Sequence, residues 1–213
     1  MNKQGQIFLL LTILAVTFLL TISTVLLNIQ VSEYSQPSAD SGKLFEAWDN
    51  TVSSTVQIMS VQVAYNTNNG IPTGATNDLG PHLANLEQYL NSKGLVASIE
   101  EVAGTEQYVS TSLITSSSAS LNVTLDIYIA TSSGAKLDGT VNLNVTYSAQ
   151  ITGNILVVSK IVNTNPYFLN SANVVPQTTG SVQNNGNGSY QLAGADTYDI
   201  TTSDFVILQV QLP

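Results

Sequence analysis

An α+β fold, with an N-terminal transmembrane helix and short helices followed by a C-terminal antiparallel β-sandwich, is predicted by three features of this 213-residue chain. An uncharged apolar run opens it, from Ile7 to Val31. Apolar residues then recur at steps of three and four as far as Leu90, the period of a helix with one buried face. From Gly94 onward they alternate with polar ones, the period of strands with one face buried and one wet.

As a helix the first run is about 37 Å long, enough to cross a bilayer. Two other readings compete with a membrane anchor. A buried core helix rarely lacks every charge over such a length. A cleaved secretory signal has an apolar region of only about 7–15 residues, and the one small-residue exit, near Ala39-Asp40-Ser41, lies well beyond the run. Lys3 and the amino terminus on one flank against Glu33 and Asp40 on the other place the N-terminus in the cytoplasm. The reading is residues 1–6 as a cytoplasmic stub or leader, 7–31 as a span whose partner is the lipid bilayer, 32–94 as linker and helical stalk, and 95–213 as an extracytoplasmic β-sandwich.

Residues 32–42 (SEYSQPSADSG) are small and polar and read as a linker. Leu44, Trp48, Val52, Val56, Met59 and Val63 then share a helical face, over about 41–65; Asp40 or Ser41 is placed to cap it, and Asn66 to Gly70 to end it. Gly80-Pro81 opens a second helix, 80–93, with Leu79, Leu83, Leu86 and Leu90 inward and Gly94 after its end. Strands are expected at 95–102 and 108–115, then at 121–130 and 141–149, where Leu121, Val123, Leu125, Ile127 and Ile129 face Val141, Leu143, Val145 and Tyr147 across a loop from Ser132 to Gly139. Further strands follow at 155–162, around 190–192, and at 205–212. Asn163 to Gly188 reads as loops alternating with short strands.

Composition excludes whole classes of function. Five Lys, no Arg and fourteen acidic residues give a formal charge of −9, leaving almost nothing to neutralise phosphates, so nucleic acid is excluded as a partner. Only 9% of residues are charged, and the polar surface falls to Ser, Thr, Asn and Gln, which suits a cell-surface protein. With no Cys, neither disulfides nor thiolate metal sites brace the fold.

No catalytic, cofactor or metal site is assigned. His82, the single histidine, falls in the first turn of a helix, and no G-x-S-x-G elbow accompanies it. Glu100 and Glu101 are strand neighbours and point to opposite faces. Asp196, Asp199 and Asp204 could gather around a Ca²⁺ between loops, but they show no recognisable ligand spacing, and solvated turn acids are the simpler account. Asn122 (N-V-T), Asn144 (N-V-T) and Asn187 (N-G-S) are candidate glycosylation acceptors, the first two on the polar phase of their strands and the third in a turn.

Lys3 and Gly5, followed by Gln6-Ile7-Phe8-Leu9, resemble the class III leader of archaeal type IV pilin-like proteins, over roughly the first 30 residues. The resemblance implies cleavage near Gly5 and Gln6, and apolar helices bundled into a filament core with β-rich heads outside. Gln4 separates Lys3 from Gly5, where that family usually has the basic residue adjacent. Thr12, Ala15, Thr17, Thr21, Ser23 and Thr24 would supply the close helix packing a filament needs, or satisfy themselves within a plain anchor. The expectation is a single-span, non-enzymatic structural or adhesive surface protein, with self-association or other envelope proteins as partners. The alternatives are a pilin-like filament subunit and, from another class, an envelope hydrolase or Ca²⁺-dependent binding protein.

Overall fold

A computed structural model describes residues 39–74 and 79–213, and Leu44–Pro213 form one compact unit within it. The expected span 7–31 and the leader residues Gly5 and Gln6 lie outside the described residues. Among the described residues no helix is long and apolar enough to cross a membrane. The chain is α+β: two helices, then antiparallel sheets of eight and three strands.

Helix α1 (Ala39–Asn68) buries Leu44, Ala47, Thr51, Thr55, Met59 and Val63. This stripe is rotated from the expected one, since Trp48, Val52 and Val56 lie on its flank and two threonines occupy its centre. Thr51 and Thr55 can be buried because each hydroxyl donates to the carbonyl four residues back, Ala47 at 2.8 Å and Thr51 at 2.9 Å. The helix starts before the caps proposed for it, and it also runs past Asn66, which is buried within it. Helix α2 (Gly80–Ser92) has Pro in its first turn and ends before Gly94, whose φ of +80° is the left-handed conformation glycine adopts freely.

The strands follow as β1 (Leu95–Glu101), β2 (Gln107–Ser112), β3 (Ser116–Thr131), β4 (Lys136–Thr152), β5 (Ile155–Val162), β6 (Asn165–Phe168), β7 (Asn173–Pro176), β8 (Ser181–Gly186), β9 (Ser189–Ala193), β10 (Asp196–Thr201) and β11 (Ile207–Leu212). The larger sheet runs β1-β3-β4-β5-β9-β8, with β2 also on β3 and β6 also on β5. The smaller runs β11-β10-β7. Its centre is the β3–β4 hairpin, paired without a break from Ser116↔Gln150 to Ala130↔Lys136. Odd-numbered residues of both strands face inward, among them Leu121, Leu125, Ile127, Leu143, Val145 and Tyr147.

Helix α1 lies over that inner face. Near its start the Trp48 ring comes within 3.4 Å of the place a side chain on Gly139 of β4 would take. Near its end the Thr67 hydroxyl is 3.1 Å from the Tyr108 hydroxyl of β2. Inward residues of both helices and both sheets belong to a single cluster. Of the region expected at 32–94 as linker and stalk, the described residues from Leu44 onward belong to the same compact unit as the sheets, and α1 covers the hairpin's apolar face.

Helical side chains also close strand edges. Glu87 and Asn91, one turn apart on α2, accept from the backbone N–H groups of Ile99 (2.6 Å) and Ala97 (3.2 Å) along the outer edge of β1. Asn68, at the end of α1, does the same for β11: its carboxamide donates to the Phe205 carbonyl (2.9 Å) and accepts from Ile207 N–H (3.1 Å). The amide thus imitates a neighbouring strand and blocks edge pairing there.

On β5, β9 and β6 meet end to end along one edge: Val157 pairs with Ser189, Ser159 with Phe168, and at the joint Val158 donates to Gly188 while Leu169 donates to Val158. A β-carbon on Gly188 would stand 2.7 Å from the Val158 carbonyl oxygen and 2.8 Å from Leu169 nitrogen, and its φ is +68°. Gly188→Ala should therefore cost roughly 2 kcal/mol or more, from backbone clash and left-handed strain together. A urea midpoint equal to the parent's would show that the joint is not built this way.

Candidate functional site

Two places gather polar side chains. The first is an open cleft of about 590 Å³ on the outer face of the large sheet, lined by Asn122, Asn144, Asn163, Thr105, Thr124 and Ile161 among others. The β3–β4 register sets Asn122 directly opposite Asn144. The two sequon asparagines do not project separately into solvent as expected: both are half-buried, and the Asn144 carboxamide nitrogen donates to the Asn122 carboxamide oxygen. Thr146 donates to Asn144 Oδ1 (3.0 Å), Thr124 to Asn142 Oδ1 (2.8 Å), and Asn144 N–H to Asn163 Oδ1 (2.8 Å). Thr105 fills the gap between β1 and β2 by accepting from Thr124 N–H at 3.0 Å and donating to Val102 at 2.7 Å.

The cleft is thus a neutral ladder of amides and hydroxyls that spend their hydrogen bonds on one another. It offers rigidity. None of its named lining residues ionises in the range needed for acid–base work.

The second place is partly buried and ionic. The Tyr147 hydroxyl donates to Asp204 Oδ2, the Lys160 ammonium donates to the same oxygen at 2.7 Å, and Lys160 also lies over the Tyr147 ring, 5.3 Å from its centre. This is the one salt bridge found among the described residues. Burial pushes the Tyr147 hydroxyl up from its ordinary value, the bond to Asp204 adds to this, and a bond involving Ser60 of α1 opposes it, so the phenol stays a neutral donor. Burial alone would raise the Asp204 carboxyl; the hydrogen bonds from Lys160 and Tyr147 and the Lys160 charge outweigh it and hold Asp204 below its ordinary value. The sequence carries one signal of this cluster. Lys160 continues the inward phase of Leu156 and Val158 on β5, and an inward lysine calls for a carboxylate.

The remaining candidates are dispersed. Asp196 is on the buried phase of β10 and Asp199 on the other, so they do not share a site. Asp196 accepts from the backbone N–H groups of Gly180 (2.9 Å), Thr178 (3.0 Å) and Thr197 (2.8 Å), which hold its carboxyl below the ordinary range and fix the turn before β8. Asp199 accepts from the Gln177 (3.0 Å) and Gln209 (2.9 Å) amides. Among the described residues no three His, Cys, Asp or Glu side chains gather as a metal site would require. His82 is half-buried, burial lowers its pKa, and its Nε2 has no hydrogen-bond partner among the described residues, so no hydroxyl is aligned with it. Glu100 is exposed opposite Asp126, whereas Glu101 is half-buried on the other phase. Asn187 is exposed at the tip of the β8–β9 hairpin with φ +52°.

The chain has no significant match among protein-family models, curated proteins or solved structures.

The Asp204 cluster predicts a pH dependence with a definite sign. Its folded-state pKa lies below the unfolded value of 3.8, so its stabilisation is present above that pH and is lost as pH falls through the lower, folded-state value. Asp204→Asn should lower the melting temperature at pH 7 and flatten the acid limb of its pH profile. Equal acid limbs for parent and variant would show that the pair contributes nothing.

Proposed function

We propose that this chain is a single-span, membrane-anchored surface protein whose domain acts outside the cell as a structural or adhesive unit without catalysis. The observation that carries the reading is the apolar run from Ile7 to Val31, free of charge and flanked by Lys3 on one side and Glu33 on the other. The character of the domain supports it. Its outer strand face is built from Ser, Thr and Asn that bond one another, and one salt bridge occurs among the described residues. Such a surface changes little with salt or pH. We read the two sheets as the unequal leaves of a β-sandwich, with α1 filling the layer that the smaller sheet leaves uncovered. Inward Tyr198, Ile200, Leu208 and Val210 share a core with the inner face of β3 and β4, which supports this.

A second reading, a pilin-like filament subunit, is favoured by Lys3, Gly5 and Gln6 ahead of the apolar run and by Phe45, Val61 and Tyr65 of α1, which are mostly exposed. In that reading copies of the chain are its partners, and the run 7–31 packs against its own kind.

Alkaline carbonate washing of membranes and external protease treatment of whole cells test the proposal. The chain is expected to stay in the membrane pellet while its C-terminal half is cut. Release of the intact chain into the wash, or a C-terminal half spared in cells yet cut once purified, overturns it. Intact mass separates the two readings: loss of residues 1–5 is expected of a filament subunit, and a full-length N-terminus of a plain anchor.

A further inference from the structure

Three sequons are present, and the fold treats them differently. Asn122 and Asn144 are opposed across neighbouring strands, and each carboxamide is in the other's hydrogen bond. A glycan on either nitrogen would stand about 5 Å from the opposite side chain and push into the ladder. Asn187 is exposed, none of its side-chain atoms is bonded among the described residues, and it sits in the left-handed conformation that asparagine tolerates better than most residues.

A second, independent observation lies beside it. Phe168 of β6 is an exposed aromatic side chain, at 56% of its full surface, and Tyr167 lies on the opposite face of the strand. The strand joint on β5 brings Phe168 to Asn187: a β-carbon on the next residue, Gly188, would be 2.9 Å from the Phe168 β-carbon. Asn170 ties the same joint, accepting from Gly188 N–H and, through its carbonyl, from Asn184 at 3.0 Å. An aromatic face next to an exposed sequon matches the apolar C–H face of a pyranose ring.

We infer that Asn187 carries an N-linked glycan whose first sugars lie on Phe168, and that Asn122 and Asn144 remain unmodified. The inference rests on the extracytoplasmic reading above. The donor is a lipid-linked glycosyl phosphate or diphosphate, supplied with its transferase by the membrane. Asn187 Nδ2 bonds to the anomeric carbon as that carbon's bond to phosphate oxygen breaks; the lipid phosphate leaves with the electron pair, and one amide proton passes to a base of the transferase.

The full-length chain, purified from membranes of its own cells, is cut after lysine, which separates Asn122 (fragment 94–136), Asn144 (137–160) and Asn187 (161–213). Glycan mass is expected on 161–213 alone, and it should vanish in both Asn187→Asp and Ser189→Ala. Removing the glycan should lower the melting temperature of the parent by a few degrees and leave that of Phe168→Ala unchanged. An unmodified 161–213 fragment from a chain that external protease reaches overturns the inference and leaves the surface reading intact. An unmodified fragment from a chain that protease does not reach overturns both. Glycan on either other fragment overturns the assignment of Asn187, and an equal melting shift in Phe168→Ala overturns the aromatic contact.

Discussion

The inner face of the β3–β4 hairpin has to be covered, and the rest of the domain follows from how that is done. The two strands are 16 and 17 residues long, about three times the usual length, and they carry an almost unbroken inward row of Leu, Ile, Val and Tyr. Each such side chain gains roughly 1.5–3 kcal/mol by leaving water. A hairpin of this length left open on that side would aggregate. Helix α1 lies over it, from Gly139 of β4 to Tyr108 of the neighbouring β2, and the smaller sheet contributes Tyr198, Ile200, Leu208 and Val210 to the same core. The middle of α1 holds Thr51 and Thr55 where Leu would be expected, and the helix accepts them because their hydroxyls are bonded within it.

A second constraint comes from composition. With 9% charged residues, the chain has few lysines to place on exposed strand edges, the usual defence against edge pairing. It uses amides and a carboxylate on helices instead. Glu87 and Asn91 occupy the N–H groups of β1, and Asn68 satisfies both a donor and an acceptor flanking the start of β11. The outer face follows the same economy, with Asn, Thr and Ser bonded in pairs across β3, β4 and β5. Amides, hydroxyls and one carboxylate therefore close edges, fill strand gaps and cover the surface, roles that ion pairs share in most soluble domains.

Strict periodicity made much of the fold legible in the sequence. Strands β3, β4 and β5 and helix α2 were signalled by alternation or by Pro and Gly at the helix ends. Where polar residues point inward the pattern failed. Thr51 and Thr55 displaced the predicted stripe of α1 toward Trp48 and Val52, and inward Asp196 concealed β10, since an aspartate on the apolar phase breaks the alternation unless its backbone partners at Gly180 and Thr178 are known. The inward phase of Lys160 on β5 signals a buried charge, but its partners Tyr147 and Asp204 lie elsewhere in the chain, and no local pattern identifies them. Strand register decided what the sequons could not: a pairing of Asn122 with Asn144 is a property of the hairpin, not of either N-V-T motif.

If α1 is the cover of the hairpin, it cannot be a stalk that opens independently of it. Native-state hydrogen exchange on the purified full-length chain measures this directly, because amides that open only on global unfolding share one free energy. The backbone N–H groups of Thr51 to Val63 are expected to show the same protection as those of Leu121 to Ile129 and Leu143 to Ala149. Protection of the helix that is several kcal/mol weaker than that of the hairpin would contradict a shared core and make α1 an accessory to a sheet that stands without it.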